Sequence, residues 1–101
     1  MIVREWKGYA IGGAVDAYAT HLRDSVAPQL SKLDGFRGAS LAKRAMGAET
    51  ELLVTTRWDS MESVRAFAGD SPDIAVVEPA ARAVLSRFDA TVAHYEVMWD
   101  V

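Results

Sequence analysis

The chain predicts an α+β fold, a ferredoxin-like β-α-β-β-α-β arrangement built on a four-stranded antiparallel sheet. Three observations predict it. Strand-forming and helix-forming stretches follow one another in that order along 101 residues. The central stretch Glu51–Phe67 (ELLVTTRWDSMESVRAF) reads as a strand running straight into a capped helix. The two halves echo each other, Val15–Tyr18 (VDAY) matching Val64–Phe67 (VRAF), as a doubled β-α-β unit requires. A chain of this length makes one domain, spanning residues 1–101.

Ile2–Tyr9 is rich in strand formers and gives the first strand, broken by Gly12 and Gly13. Ala14–Leu33 places Val15, Tyr18, Leu22, Val26, Leu30 and Leu33 on one helical stripe. Pro28 removes a backbone donor inside it and should kink or interrupt the helix. Asp34 and Gly35 close it. Phe36–Met46 is the second strand, and the turn at Gly47–Glu49 makes a hairpin with the third. Leu52–Thr56 is apolar on both faces, which predicts cover on both. Asp59, with Glu62 three residues on, predicts the helix cap, and Val64, Phe67 and Ala68 its buried face. Asp73–Phe88 carries a second helical stripe, with Pro79 opening a fresh segment. Ala90–Trp99 is the closing strand.

Half the residues are hydrophobic, generous for so short a chain, so a partner subunit is expected to cover some of them. The open sheet face is the expected place, giving a homodimer through sheet faces. The net charge of −3, without a basic run, argues against nucleic acid or an anionic membrane as partner. The absence of cysteine removes disulfides and thiolate chemistry and fits a reducing compartment. The first residues, MIVREWKGYAIGG, carry Arg4, Glu5 and Lys7 and do not read as a signal peptide. No apolar run approaches the roughly 20 residues of a membrane span. The cytoplasm is the expected location.

Candidate chemistry rests on few residues. The two histidines, His21 and His94, belong to no close-spaced ligand cluster, so no metal site is expected. Either could be a base, or an ordinary half-exposed helix residue and a hydrogen-bonded strand residue. Trp6 and Trp58 lie on neighbouring strands and could wall an aromatic pocket, or simply pack; Trp99 falls on the closing strand. Arg4 and Arg57 interrupt apolar strands and would meet either carboxylates such as Glu5, Glu51, Asp59 and Glu96 or an anionic ligand. Glu78, just before Pro79, is a possible pocket carboxylate or a solvated helix end. Gly12 and Gly13 lead into no nucleotide-binding pattern, so no cofactor is expected.

Val54–Phe67 (VTTRWDSMESVRAF), followed by a helix and Ala93–Val97 (AHYEV), resembles the antibiotic biosynthesis monooxygenase family. The resemblance implies a dimeric α+β barrel. Some members oxygenate anthrone-type polyketides without metal or flavin; others degrade haem. The haem-degrading branch has an Asn on its first strand, an aromatic on the second helix and a haem-ligating His on the segment after it. Phe67 stands near the aromatic position, but the chain contains no Asn and Ile74–Phe88 contains no His, which argues against haem degradation. Trp58 matches the strand Trp of the cofactor-free branch.

Two functions follow as expectations. The first is a cofactor-independent monooxygenase acting on a small aromatic, polyketide- or quinol-like substrate. It would use His94 as base, Arg57 as the anion's partner, and Trp6, Trp58 and Phe67 as walls. The second is a non-catalytic small-molecule-binding or structural dimeric module of the same fold. A cavity of several hundred Å³ holding a polar group favours the first, and a pocket filled by its own side chains the second.

Overall fold

The computed structural model describes residues 1–101. Strands β1 (Ile2–Ala10), β2 (Phe36–Met46) and β3 (Glu49–Trp58) are the long ones, and β1 lies at the centre of the sheet. It pairs antiparallel with β3 over its whole length, from Ile2 opposite Trp58 to Ala10 opposite Thr50. Its other edge takes two short strands, β4 (Arg87–Phe88) and β5 (Ala93–Glu96). Only β5 falls within the expected closing strand Ala90–Trp99; β4 lies on residues expected to end the second helix. Phe88 faces Gly8 and Ala93 faces Glu5, so the chain bulges between them. Met98 and Trp99 lie beyond the strand and are exposed, which corrects the expectation that Trp99 sits on it.

The first helical stretch is α1 (Ala14–His21), a π-helical turn (Leu22–Val26) and α2 (Ala27–Leu30). Repeated steps of four residues, from Tyr18 to Leu22, Val26 and Leu30, drift by about 40° each on an ideal α-helix. The wider π turn rotates the stripe back, and Tyr18, Leu22 and Leu30 all end up buried. Pro28 falls just after this turn, at the start of α2.

Helix α3 (Met61–Ala68) follows β3 directly, but Ser60, not Asp59, is its N-cap. The Ser60 hydroxyl accepts from the Ser63 backbone N–H, while Asp59 is drawn outward into a two-pronged pair with Arg37. Gly35 is required beside this cap: a Cβ there would stand 2.1 Å from the Ser63 hydroxyl, and its φ is +82°.

The expected helix Asp73–Phe88 shrinks to α4 (Pro79–Val84). Proline bars the preceding residue from helical geometry, and Glu78 is extended with φ −68° and ψ 152°. Residues 72–78 instead run as an irregular segment along the edge of the sheet, tied by the Ala75 N–H to the Ala90 carbonyl and the Val92 N–H to the Asp73 carbonyl.

All helices lie on the sheet face that carries Arg4, Trp6, Leu52, Val54, Thr56 and Trp58. One core cluster joins Ala10, Tyr18, Leu22, Leu52, Ala81 and Leu85; a second joins Leu30, Trp58 and Val64. The other face has no helix over it. It carries Val3, Glu5, Lys7, Leu53, Thr55 and Arg57. No helix is long and apolar enough to cross a membrane.

Candidate active site

A cavity of about 140 Å³ opens between the sheet and the helices, where the two core clusters fail to meet. It is neither filled by side chains nor several hundred Å³ in size. β1 contributes Arg4 and Trp6, β3 Val54 and Thr56, and the α1 stretch Tyr18 and His21. Phe67 of α3 and Glu78 complete the wall. Most of the lining is apolar, so the few polar groups in it define its chemistry.

Trp6 forms the floor. Its Nε1 donates to the Asp89 carbonyl at 2.7 Å, a carbonyl delivered by the bulge between β4 and β5. The ring packs at a tilt against Tyr18 and Phe88, with centroids 6.3 and 6.1 Å away. Gly8 makes room for it: a Cβ at that position would stand 3.1 Å from the indole and 3.3 Å from Leu85.

At one end lies Arg4, only 6% exposed. Its Nη1 donates to the Pro72 carbonyl at 2.6 Å and to His94 Nε2 at 2.8 Å, and its Nη2 reaches the Ile74 carbonyl at 3.4 Å. Because arginine only donates, His94 must accept at Nε2, which leaves its proton on Nδ1, 3.4 Å from an Asp73 carboxylate oxygen. Burial first, then the neighbouring Arg4 charge, pushes the His94 imidazole below its ordinary value of 6.5, with Asp73 pulling the other way. Burial also lowers the Arg4 pKa, partly offset by Asp73. The guanidinium carbon sits 5.7 Å from the centre of the Phe67 ring.

At the other end lie His21, Glu78 and Tyr18. His21 Nε2 is buried and has no hydrogen-bond partner; the Glu78 carboxylate is 3.6 Å away. Burial, with the Glu78 charge second, raises the Tyr18 phenol to about 12, so it stays protonated at neutral pH. A buried imidazole nitrogen left unsatisfied is uncommon and is the kind of group a ligand completes.

The structure brings Trp6 and Phe67 together at the cavity but disperses the other expected residues. Trp58 is fully buried one layer behind Phe67, stacked on it at 5.3 Å and donating to the Thr56 hydroxyl. Arg57 faces the opposite side of the sheet, where its guanidinium covers Gly38, because strand alternation puts it out of phase with Thr56. His94 stands behind Arg4 and touches the cavity only through it. The cavity's own imidazole and cation are His21 and Arg4. A signal for His21 was present in its spacing of three from Tyr18 on the buried stripe; its approach to Glu78, 57 positions along the chain, left none.

A single sheet with helices on one face, enclosing a small and mostly apolar cavity, is a ferredoxin-like scaffold. The sequence profile of the antibiotic biosynthesis monooxygenases matches residues 1–75, and the chain belongs to that family. No functionally curated protein matches it in sequence. Among solved structures it is similar to a Bacillus cereus protein provisionally assigned to the same monooxygenases, with TM-score 0.68, 17% identity and coverage of 99% of this chain and 93% of that one. It is similar to MhuD of Mycobacterium tuberculosis, a haem degrader with two haems in its active site, with TM-score 0.67, 23% identity and coverage of 100% and 99%. It is also similar to SnoaB of Streptomyces nogalater, a cofactor-independent oxygenase, with TM-score 0.65, 12% identity and coverage of 99% and 96%. At these identities the likeness is one of fold. The family supports a monooxygenase-like function.

Proposed function

We propose that the chain oxidises a small, electron-rich phenol with dioxygen, using no cofactor, inside the cavity between sheet and helices. The buried, partnerless Nε2 of His21 beside Glu78 carries this reading. His21 accepts the phenol proton there, and the Glu78 carboxylate stabilises the imidazolium that forms. The phenolate passes an electron to dioxygen, and the radical pair closes to a ring hydroperoxide. Loss of water leaves a quinone: one oxygen atom of dioxygen ends in the product, the other in water. Trp6 and Phe67 hold the ring and exclude solvent, and Arg4 supplies the positive charge at the opposite end of the cavity.

The size of the cavity supports a narrow substrate. A cavity of about 150 Å³ lined by apolar side chains takes one benzene ring, close to the volume found here. A fused polyketide would need the walls to move. Haem suits these residues poorly, since the macrocycle exceeds the cavity several-fold and no His lies on Ile74–Phe88.

The same volume favours a second reading, a binder of single-ring compounds without turnover. Oxygen uptake with methylhydroquinone separates the two. Uptake that is lost in His21→Phe supports oxidation; binding without uptake supports the module. His94→Ala, which removes the prop behind Arg4, should weaken substrate binding and leave the maximal rate nearly unchanged.

We infer further that the helix-free sheet face joins a second copy. Half-buried Val3 and Leu53 on that face support it. Sedimentation at twice the chain mass, shifted to a single mass by Leu53→Glu, is the expected result.

A further inference from the structure

We propose that the ligand of the cavity is a single-ring aromatic carboxylic acid, held by its carboxylate on an unused edge of Arg4. The inference rests on reading the cavity as a ligand site and adds the class of molecule that it selects.

The argument is a count of donors. A guanidinium has five N–H groups in one plane. Both protons of Arg4 Nη1 are engaged, one by the Pro72 carbonyl and one by His94. One proton of Nη2 points to the Ile74 carbonyl. The Nε proton and the second Nη2 proton have no protein acceptor. The Nε and Nη2 nitrogens form one edge of the plane, the spacing that matches the two oxygens of a carboxylate. Arg4 lines the cavity, and neither of these two protons is taken by a protein acceptor.

The other contacts fix this edge in place. Three acceptors hold the guanidinium, two on Nη1 and one on Nη2, and the centre of the Phe67 ring lies 5.7 Å from its carbon. Side-chain ordering, the usual cost of an arginine–anion pair, is already met by the fold. Charge sets the ligand's direction. Glu78 stands at the far end beside His21, so a carboxylate is repelled there and attracted at Arg4. A neutral hydroxyl on the ring is then the group turned toward His21.

The test needs no variant at first. Benzoate and benzamide have the same shape and differ in charge and in the forked acceptor. Titration of each into the wild-type protein, followed by the NMR shift of the Trp6 indole N–H, should show benzoate binding at least about tenfold tighter, as expected for charge-assisted hydrogen bonds. Equal affinities, or no binding of benzoate, overturn the proposal. Arg4→Lys keeps the charge and loses the fork; it should narrow the preference for benzoate over benzamide several-fold. Oxygen uptake separates this inference from the oxidation reading. Benzoate preference with no uptake of oxygen on 2,5-dihydroxybenzoate keeps the acid site and removes the oxidation. Uptake on hydroquinone with the same KM as on 2,5-dihydroxybenzoate keeps the oxidation and removes the acid site.

Discussion

The two ends of the cavity satisfy their polar groups in opposite ways. Arg4 is anchored on one side by two carbonyls and His94, all brought by the last third of the chain. His21 lies on the first helix with its Nε2 unpartnered and a carboxylate just beyond hydrogen-bond length. A buried group whose bonds are met by protein stabilises the fold and is fixed in direction. A buried group whose bond is unmet costs stability until something else completes it. The Arg4 end is therefore architecture, and the His21 end keeps a buried polar group unmet.

Four changes break or sharpen this contrast. The largest effect is expected from Arg4→Met. It strands the Pro72 carbonyl and His94 Nε2 and should destabilise the fold by about 3 kcal/mol in chemical denaturation. A loss below about 1 kcal/mol would mean that Arg4 anchors little. Next is Gly8→Ala. Its new methyl meets the Trp6 ring and Leu85 at 3.1 to 3.3 Å, and about 1 kcal/mol of destabilisation with a shifted Trp6 indole resonance is expected. An unshifted resonance would show that the floor of the cavity has slack.

The third is a dependence on pH. His94 has a folded-state pKa below its ordinary 6.5, so the unfolded chain takes up its proton first as pH falls. Its contribution is full above 6.5 and declines as pH drops from there toward the folded value. Arg4, Asp73 and Arg65 are the charges acting on it. His94→Gln should flatten the stability profile across that interval. A slope unchanged in the variant would assign the titration to other groups. The smallest effect belongs to His21→Phe. Removing an unsatisfied nitrogen should change stability by less than about 0.5 kcal/mol, or raise it slightly. A loss above about 2 kcal/mol would reveal a partner for Nε2.

The elements were legible where local composition decides them. β-branched and aromatic residues mark β1, β2 and β3, and the glycines at 12, 35 and 47, all with positive φ, mark three of their breaks. The helix expected over Asp73–Phe88 was misread because Ile74, Val77, Ala81 and Val84 keep helical spacing. Pro79 outweighs that spacing, and Ile74 and Val76 are left more than half exposed. The aromatic walls were half legible. Trp6 and Trp58 stand on the same sheet face, and only the placement of Phe67 between Trp58 and the open space decides that Trp6 lines the cavity while Trp58 does not.

The sequence by itself determined the three long strands, their turns and the family, because composition, turn chemistry and local motif act over a few residues. Strand phase alone already places Arg57 opposite Arg4 once the register of Val3 with Arg57 is known. Tertiary structure decided the site. Arg4 meets His94 across 90 positions and Pro72 across 68, and His21 meets Glu78 across the gap between α1 and α4. Which imidazole is spent on architecture and which is left free is a property of those long-range contacts, since hydrogen-bond satisfaction belongs to the packed molecule and not to any stretch of the chain.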